Sequence, residues 1–372
     1  MRAETNPIDG PGECLRALDD EGRLLPGAEA APAPVARGMY REMKRVRALD
    51  ERMLVLQRQG RVGFYGTCTG QEAVPAATAL ALDAADWVFP ALREGAVMLA
   101  RGFPLDRYVA QVFGSAHDLL KGRQMPSHMS ARSVRQVSWS SCIGTQLPQA
   151  VGAAWAAKLR RDPVVVVAFL GDGATSAPDF HHAMNFAAVF CAPVVIVCQN
   201  NHWSISVPVA RQTASATIAA KAAAYGMPGL RVDGNDALAT HAALTGALAR
   251  ARAGGGPTFI ECVTYRLGPH SSSDDPSRYR SEAEVEAWRR RDPLPRLRRY
   301  LEGAGLWAEA DERALDAELE AEISAAIAVA EAAPPPDRAS LFDDVYASPP
   351  WHLREQREQL LRLPPAPRHD PR

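Results

Sequence analysis

A chain of 372 residues with 47% hydrophobic composition is long enough for one large or two moderate domains with cores of their own, which excludes a wholly disordered protein. Its 42 Lys and Arg are offset by 43 Asp and Glu, for a formal net charge of -1, so the uncompensated basic surface of a nucleic-acid binder is missing. The six cysteines, at positions 14, 68, 142, 191, 198 and 262, make no CxxC pair and no framework spacing; zinc and disulfide scaffolds are disfavoured, and buried free thiols in a reducing cytoplasm are expected.

No basic segment followed by an apolar run opens the chain, and no stretch of about eighteen apolar residues occurs, so a soluble cytoplasmic protein is expected. Residues 1–34 are rich in Pro, Gly, Ala and acidic residues and read as an extended arm that wraps something. From Val35 the apolar residues Met39, Met43, Val46, Leu49, Met53 and Leu56 recur at helical spacing up to Gly60, which predicts an amphipathic helix. Val164 to Leu170 is a continuous apolar run rich in β-branched residues, Asp179 to Phe190 has helical character, and Pro193 to Cys198 is a second such run. Strand, helix, strand in that order predicts a right-handed crossover with both strands parallel and buried. Further strands are expected at Leu230 to Val232 and Thr258 to Tyr265, with an Ala-rich helix over 236–252. From about 281 the chain is charged and helical, and Arg289, Arg290 and Arg291 read as a solvated face. The Pro run within 332–336 predicts a hinge before a C-terminal helical piece, so that 35–331 is the α/β body and 332–372 a separate tail.

The chemistry gathers at two strand ends. In an open parallel sheet, ligands bind beyond the carboxyl ends of the strands, and Gly171-Asp172-Gly173 and Asn200-Asn201 both fall there. A carboxylate and an amide oxygen are hard donors suited to Mg2+, which completes its shell with water and phosphate. The glycines allow close backbone approach, and a helix N-terminus after them would favour an anion. A Mg2+-diphosphate is therefore the expected ligand. A dinucleotide fingerprint would need a third Gly at the position of Ser176 and an acidic residue near Pro193-Val194-Val195-Ile196; a P-loop would need Gly-Lys-Ser/Thr, and neither is present. The pair beginning at Gly171-Asp172-Gly173 and closing about thirty residues later at Asn200-Asn201 matches the thiamine-diphosphate signature instead.

At these residues the chain resembles the alpha subunits of the 2-oxoacid dehydrogenase complexes, from about Val35 to its end. The resemblance is carried further by Gln57 to Tyr65 (QRQGRVGFY), Lys121 to Pro126 (KGRQMP), Gly144 to Gly152 (GTQLPQAVG) and Arg231 to Asp236 (RVDGND). It implies the thiamine-diphosphate-binding α/β fold, a mostly parallel sheet flanked by helices. It implies that Asp172, Asn201 and the Trp203 carbonyl bind Mg2+, and that Arg93 takes the diphosphate. Ser141, Ile143, Gly171, Gly173, Ala174 and His270 are the further cofactor contacts it implies. His270, in Arg266 to Arg280 (RLGPHSSSDDPSRYR), takes the place of the catalytic histidine; an imidazole that titrates near neutral pH would donate to an oxyanion or to an opening dithiolane. Ser140, Cys142, Thr145 and Gln146 align with a monovalent-cation site, for which K+ is the candidate. The implied activity is oxidative decarboxylation of a 2-oxoacid and acyl transfer to a lipoyl transacylase, by an α2β2 heterotetramer whose beta subunit supplies a glutamate.

The loop Pro269 to Asp275 and the segment Gln57 to Tyr65 look like the branched-chain 2-oxoacid enzymes, with pyruvate or acetoin dehydrogenase as the alternative and a silent scaffold subunit as the alternative of another class. The chain departs from the pattern at Leu92, where relatives carry Tyr, and at Gln199, where some carry a phosphate-binding Arg; both remove groups that strengthen an anion site. Ser271 and Ser281 match positions phosphorylated in some animal relatives. The pair His181-His182 reads as structural, since adjacent helix residues do not face one ligand.

Overall fold

The chain forms β1 (Trp87–Phe89), β2 (Val166–Gly171), β3 (Val194–Asn200), a small hairpin of β4 (Trp203–Ser204) and β5 (Val207–Pro208), then β6 (Gly229–Asp233) and β7 (Thr258–Val263). These strands belong to a computed structural model that describes residues 13–364. β1, β2, β3, β7 and β6, in that order, build a five-stranded sheet whose neighbours are all parallel. The helices are α1 (Ala33–Arg58), α2 (Ala73–Ala81), α3 (Gly95–Ala100), α4 (Leu105–Phe113), α5 (Gln146–Arg160), α6 (Pro178–Val189), α7 (Ala237–Arg252), α8 (Glu282–Arg289), α9 (Pro293–Gly303), α10 (Glu309–Ala332) and α11 (Trp351–Arg362).

The unbroken apolar runs of β2 and β3 follow from burial on both faces. Successive side chains of a strand point to opposite sides. Val167, Phe169, Val195, Val197 and Ile260 enter one core with residues of α1, α2 and α7, while Val166, Ala168, Leu170, Val194, Ile196 and Phe259 enter another with α5 and α6. The crossover predicted from sequence is present, with Val166 opposite Val194 and Gly171 opposite Gln199. Its boundaries shift at the site: β3 runs on to Asn200, which pairs with Val263, so β7 ends two residues before Tyr265. Tyr265 instead stacks on Trp288 of α8 at 5.2 Å.

Residues 13–32, part of the expected arm, lie against the chain's own sheet. Leu15 makes a parallel bridge to Val232 of β6, donating to the Arg231 carbonyl at 2.9 Å and accepting from the Asp233 amide at 3.0 Å. The amides of Ala17 and Leu18 both donate to Asp236 Oδ2 at 2.6 Å, while Asp236 Oδ1 caps α7 by accepting from the amides of Leu238 and Ala239. Arg296 of α9 secures the same segment, donating to the Leu18 carbonyl at 2.6 Å and to Asp233 at 2.8 Å, with both side chains fully buried. Residues 1–12 lie outside the described residues. At the opposite edge, Val88 of β1 is bridged by Gln136. The cysteines are free; Cys68, Cys198 and Cys262 are buried as expected, Cys14 and Cys191 are half-buried, and Cys142 departs from the expectation by being exposed. No described helix is long and apolar enough to cross a membrane. Arg289 and Arg290 are exposed, whereas Arg291 is half-buried and bonds Asp20 at 3.0 Å.

Candidate active site

Four strand ends meet around a cavity of about 430 Å³. β1 delivers Arg93, β2 the turn from Gly171, β3 the turn from Asn201, and β7 the loop carrying His270; the segment before α5 closes one side with Ser141 and Ile143. This is where an open parallel sheet binds ligands. Asp172, Gly173, Ala174, Trp203, Ser140, Cys142 and Gln146 also face it, so every expected site residue lines the cavity except Thr145.

At the end of β2, Asp172 to Ser176 form a 3-10 turn, and α6 begins only at Pro178. The expected direct passage from the glycines into an α-helix is thus replaced by a tighter turn, with a Pro at the helix start where a free amide was expected. A Cβ on Gly173 would stand 2.3 Å from Ser204 Oγ, whereas one on Gly171 would meet nothing within 4 Å. Gly173 is therefore required by the close approach of β4, and Gly171 leaves open space. Asp172 is buried and its Oδ2 has no hydrogen-bond partner. Burial pushes its pKa up to about 6. A buried carboxylate oxygen without a donor fits a bound cation, which would relieve the desolvation.

Asn201 is held in a fixed orientation. Its Nδ2 donates to Gln71 Oε1 at 2.9 Å, and its Oδ1 accepts from the Trp203 amide at 3.2 Å, leaving a second lone pair on Oδ1. His202 between them has a left-handed backbone, φ 69°, which tightens the turn that brings Asn201 and Trp203 to one side. The Trp203 carbonyl accepts from Arg266 Nη1 at 3.3 Å. Among the described residues no group of three or more His, Cys, Asp or Glu is arranged for a metal, so this oxygen set of one carboxylate, one amide and one carbonyl is the donor set on offer.

The cationic side is built by Arg93 and Arg266. Arg93 is buried, donates through Nη1 to the Thr67 carbonyl and through Nη2 to the His270 carbonyl at 2.9 Å, and reaches His270 Nδ1 at 3.3 Å. Arg266 is fully buried, donates to the Ile205 carbonyl at 2.8 Å and to Tyr279 Oη at 2.7 Å, and lies 3.5 Å from His270 Nδ1. Burial first, and the neighbouring Arg93 next, lower its pKa to about 10. His270 is pushed down to about 4, chiefly by burial and then by Arg93 and Arg266, against the opposing charge of Asp274. The expectation that it titrates near neutrality is corrected for the ligand-free chain: burial, and after it two neighbouring guanidinium groups, disfavour the imidazolium. The loop is braced by Asp274 Oδ2, which accepts from the His270 amide at 2.7 Å and from Tyr279 Oη at 2.5 Å. Arg280 donates to the carbonyls of Arg266, Leu267 and Gly268.

Gln199 lines the cavity, but its side-chain amide is engaged by a glutamate. Its Nε2 donates to Glu94 Oε1 at 2.5 Å, and Glu94 Oε2 accepts from the amides of Ala91 and Arg93 at 2.8 and 3.0 Å. Burial pushes Glu94 up to about 7. Leu92 lines the cavity with an apolar side chain. In the segment aligned with a monovalent-cation site, Thr145 Oγ1 donates to the Cys142 carbonyl at 3.0 Å, the Cys142 amide to Ser140 Oγ at 3.1 Å, and Gln146 Nε2 to the Phe169 carbonyl at 2.7 Å. Ser271 is buried in the His270 loop, and Ser281 caps α8. His181 and His182 are exposed on α6, away from the cavity. Sequence reasoning missed Gln71, Glu94 and the role of Arg266. Arg266 could have been found as a cation in the loop that carries His270; the others sit in segments with no local signature.

The dehydrogenase E1 component family matches residues 40–339. The chain is 47% identical over 361 residues to the 3-methyl-2-oxobutanoate dehydrogenase subunit alpha of Mycobacterium tuberculosis, covering 94% of this chain and 96% of that protein. It is 43% identical over 352 residues to the mitochondrial 2-oxoisovalerate dehydrogenase subunit alpha 2 of Arabidopsis thaliana, covering 94% and 74%. With the human mitochondrial 2-oxoisovalerate dehydrogenase subunit alpha it shares 41% identity over 350 residues, covering 93% and 79%.

Proposed function

The chain belongs to the dehydrogenase E1 component family, and on that premise we propose that it acts as the alpha subunit of a branched-chain 2-oxoacid dehydrogenase, with thiamine diphosphate and Mg2+ held in the cavity described above. The observation that carries this is the pairing, at adjacent strand ends, of a buried carboxylate with one oxygen lacking a donor and the oriented amide of Asn201, facing Arg93 and His270. When bound, thiamine diphosphate supplies a carbon nucleophile that takes up the electron pair released as a 2-oxoacid loses CO2.

This chain's own residues would then act as follows. Asp172, Asn201 Oδ1 and the Trp203 carbonyl would hold Mg2+, and Arg93 would offer its charge to the diphosphate. His270 Nδ1 faces two guanidinium groups at 3.3 and 3.5 Å and therefore accepts, so the ring proton sits on Nε2. A neutral imidazole with its Nε2 proton free is a hydrogen-bond donor for an oxyanion or a lipoyl sulfur. A monovalent ion near Ser140 would share the Cys142 carbonyl, one lone pair of which takes the Thr145 hydroxyl.

Glu94 is the glutamate in the lining, and its two oxygens are taken by backbone amides and Gln199. It is not free to act on the cofactor, which supports a second subunit completing the site. The apolar lining of Phe64, Leu92, Met125 and Ile143 favours a branched aliphatic acyl group over a methyl. Purified with its beta subunit and supplied with a lipoyl transacylase, the protein is expected to oxidise 3-methyl-2-oxobutanoate faster than pyruvate; the reverse preference overturns the substrate assignment. A scaffold subunit would instead show no Mg2+-dependent binding of thiamine diphosphate by calorimetry.

A further inference from the structure

Asp50 lies on α1, outside the cavity lining, and is 1% exposed. Its carboxylate takes three donors from the segment that joins α1 to α2. Tyr65 Oη donates to Oδ1 at 2.9 Å, while the Cys68 amide and Thr69 Oγ1 donate to Oδ2 at 2.6 and 3.2 Å. The neighbouring cation Arg47 is engaged by Glu72 and Asp292, so hydrogen bonds from the joining segment are what satisfies Asp50. A buried carboxylate persists only where such donors converge, which makes Asp50 a fixed point for residues 65–69. Tyr65 Oη, its single proton directed to the carboxylate, accepts from Tyr108 of α4.

The other side of the same segment carries the loop of His270. The Thr69 carbonyl accepts from the Leu267 amide at 3.1 Å. The Thr67 carbonyl accepts from Arg93, which in turn donates to the His270 carbonyl at 2.9 Å. Tyr65 and Ser272 pair in both directions, the Tyr65 amide donating to Ser272 Oγ at 3.1 Å and the Ser272 amide to the Tyr65 carbonyl at 3.0 Å. Tyr65 thus has its backbone on the loop and its hydroxyl on Asp50.

The bonds made by Asp274 and Arg280 run from one part of the loop to another and fix its internal shape. The Tyr65 pairing fixes where that shape stands relative to α1. A side chain that must meet a reacting group loses about a hundredfold in rate for a misplacement of roughly 1 Å, so the attachment of the loop bears on what His270 can do.

We propose that Asp50 is a positioning residue for His270, acting through the Tyr65 hydroxyl and the two-way pairing of Tyr65 with Ser272. This rests on the reading of His270 as the donor in acyl transfer to a lipoyl group. Asp50 touches neither ligand nor cavity; it sets the stance of the loop from behind.

The test uses the assembly with its beta subunit and two substitutions. Tyr65→Phe deletes the hydroxyl and keeps the ring, and Asp50→Asn keeps the shape and removes one acceptor oxygen. Hydrogen–deuterium exchange read by mass spectrometry should show residues 266–280 exchanging about fivefold faster in both variants, the size of one lost hydrogen bond. Acylation of a lipoyl domain should fall about tenfold in kcat. Oxidation of 3-methyl-2-oxobutanoate by an artificial acceptor, 2,6-dichlorophenolindophenol, which bypasses lipoyl transfer, should keep its kcat and KM within about twofold. The double variant should be no worse than Asp50→Asn alone, because both changes break one chain of contacts.

Unchanged exchange in 266–280 overturns the proposal. So does an equal fall in the lipoyl and dye reactions, which would show that Asp50 only packs. If Asp50→Asn does not fold, Tyr65→Phe decides by the same two readouts. A wild type active in neither reaction overturns instead the functional reading, and the exchange comparison still decides whether Asp50 holds the loop.

Discussion

Replacing Arg93 with Met removes a buried cation whose partners within the chain are the carbonyls of Thr67 and His270 and the His270 ring. No carboxylate among the described residues pairs with its guanidinium, and burial lowers its pKa. A buried cation without a counter-ion costs stability in the ligand-free protein, and a bound diphosphate would supply the missing charge. Arg93→Met should therefore leave the melting temperature of the ligand-free assembly unchanged or raised, while ligand binding suffers. A charge-assisted bond contributes about 1.5–3 kcal/mol, or roughly a 10- to 100-fold change in Kd. At thiamine diphosphate equal to about 100 times the wild-type Kd, binding stabilises the wild type by about 2.7 kcal/mol. A variant binding 100-fold more weakly would gain about 0.4 kcal/mol from the same solution. Differential scanning fluorimetry with and without ligand reads both quantities. A variant that melts several degrees lower without ligand, yet keeps the full ligand-induced shift, would refute the reasoning and make Arg93 a structural cation.

Asp172→Asn should abolish the Mg2+ dependence of thiamine diphosphate binding, since it removes the carboxylate charge and can put an amide NH2, which has no lone pair for a metal, in place of the unpartnered Oδ2; calorimetry with and without chelator reads this. His270→Ala should retain cofactor binding and lose acylation of lipoyl acceptors, so normal overall turnover in that variant contradicts its role. In the ligand-free assembly His270 is pushed from 6.5 to about 4, so its contribution to stability is complete above about 6.5 and is lost as pH falls toward 4. Adding the diphosphate should offset Arg93 and Arg266 and move the midpoint upward, which histidine hydrogen–deuterium exchange read by mass spectrometry would detect; a downward or unmoved midpoint counts against the anion site. Arg296→Leu should destabilise the fold by about 1–3 kcal/mol, because it takes from buried Asp233 the nearer of its two cations and leaves Arg16 at 3.3 Å; a melting temperature equal to wild type would show that Arg16 alone satisfies the carboxylate.

The parts of the fold that local pattern controls were legible in the sequence. Val164 to Leu170 and Pro193 to Cys198 announced central strands because a strand covered on both faces must be apolar throughout. The Met39 to Leu56 stripe announced α1 because one helical face is buried. The strand-end motifs drew attention to the right edge of the sheet, where the structure gathers Arg93, Asp172, Asn201 and His270. What stayed hidden depends on contacts between distant segments. β1 is three residues long and carries no periodicity of its own. Gln71 matters because it meets Asn201, and Glu94 because it meets Gln199, so neither residue is marked by its neighbours in the chain. Gln199 illustrates the difference: read as a lost phosphate ligand, it is the donor that a buried carboxylate requires. His270 likewise titrates according to its burial first and then to Arg93 and Arg266, and of these two only Arg266 is its neighbour in sequence.

The two short bridges at the margins of the sheet have a consequence for behaviour in solution. Leu15 occupies the Arg231 carbonyl and Asp233 amide on the outer side of β6, and Arg135 and Val137 occupy the amide and carbonyl of Val88 on β1. Unpaired groups in those positions would be a template for strands of other chains. A five-stranded parallel sheet would then offer two sites for growth into aggregates. The segment from Leu15 to Leu18, fastened by Asp236 and Arg296, thereby serves as a built-in terminator of strand addition. Cutting it away would convert a discrete subunit into one prone to polymerise, with no change to any residue that lines the cavity.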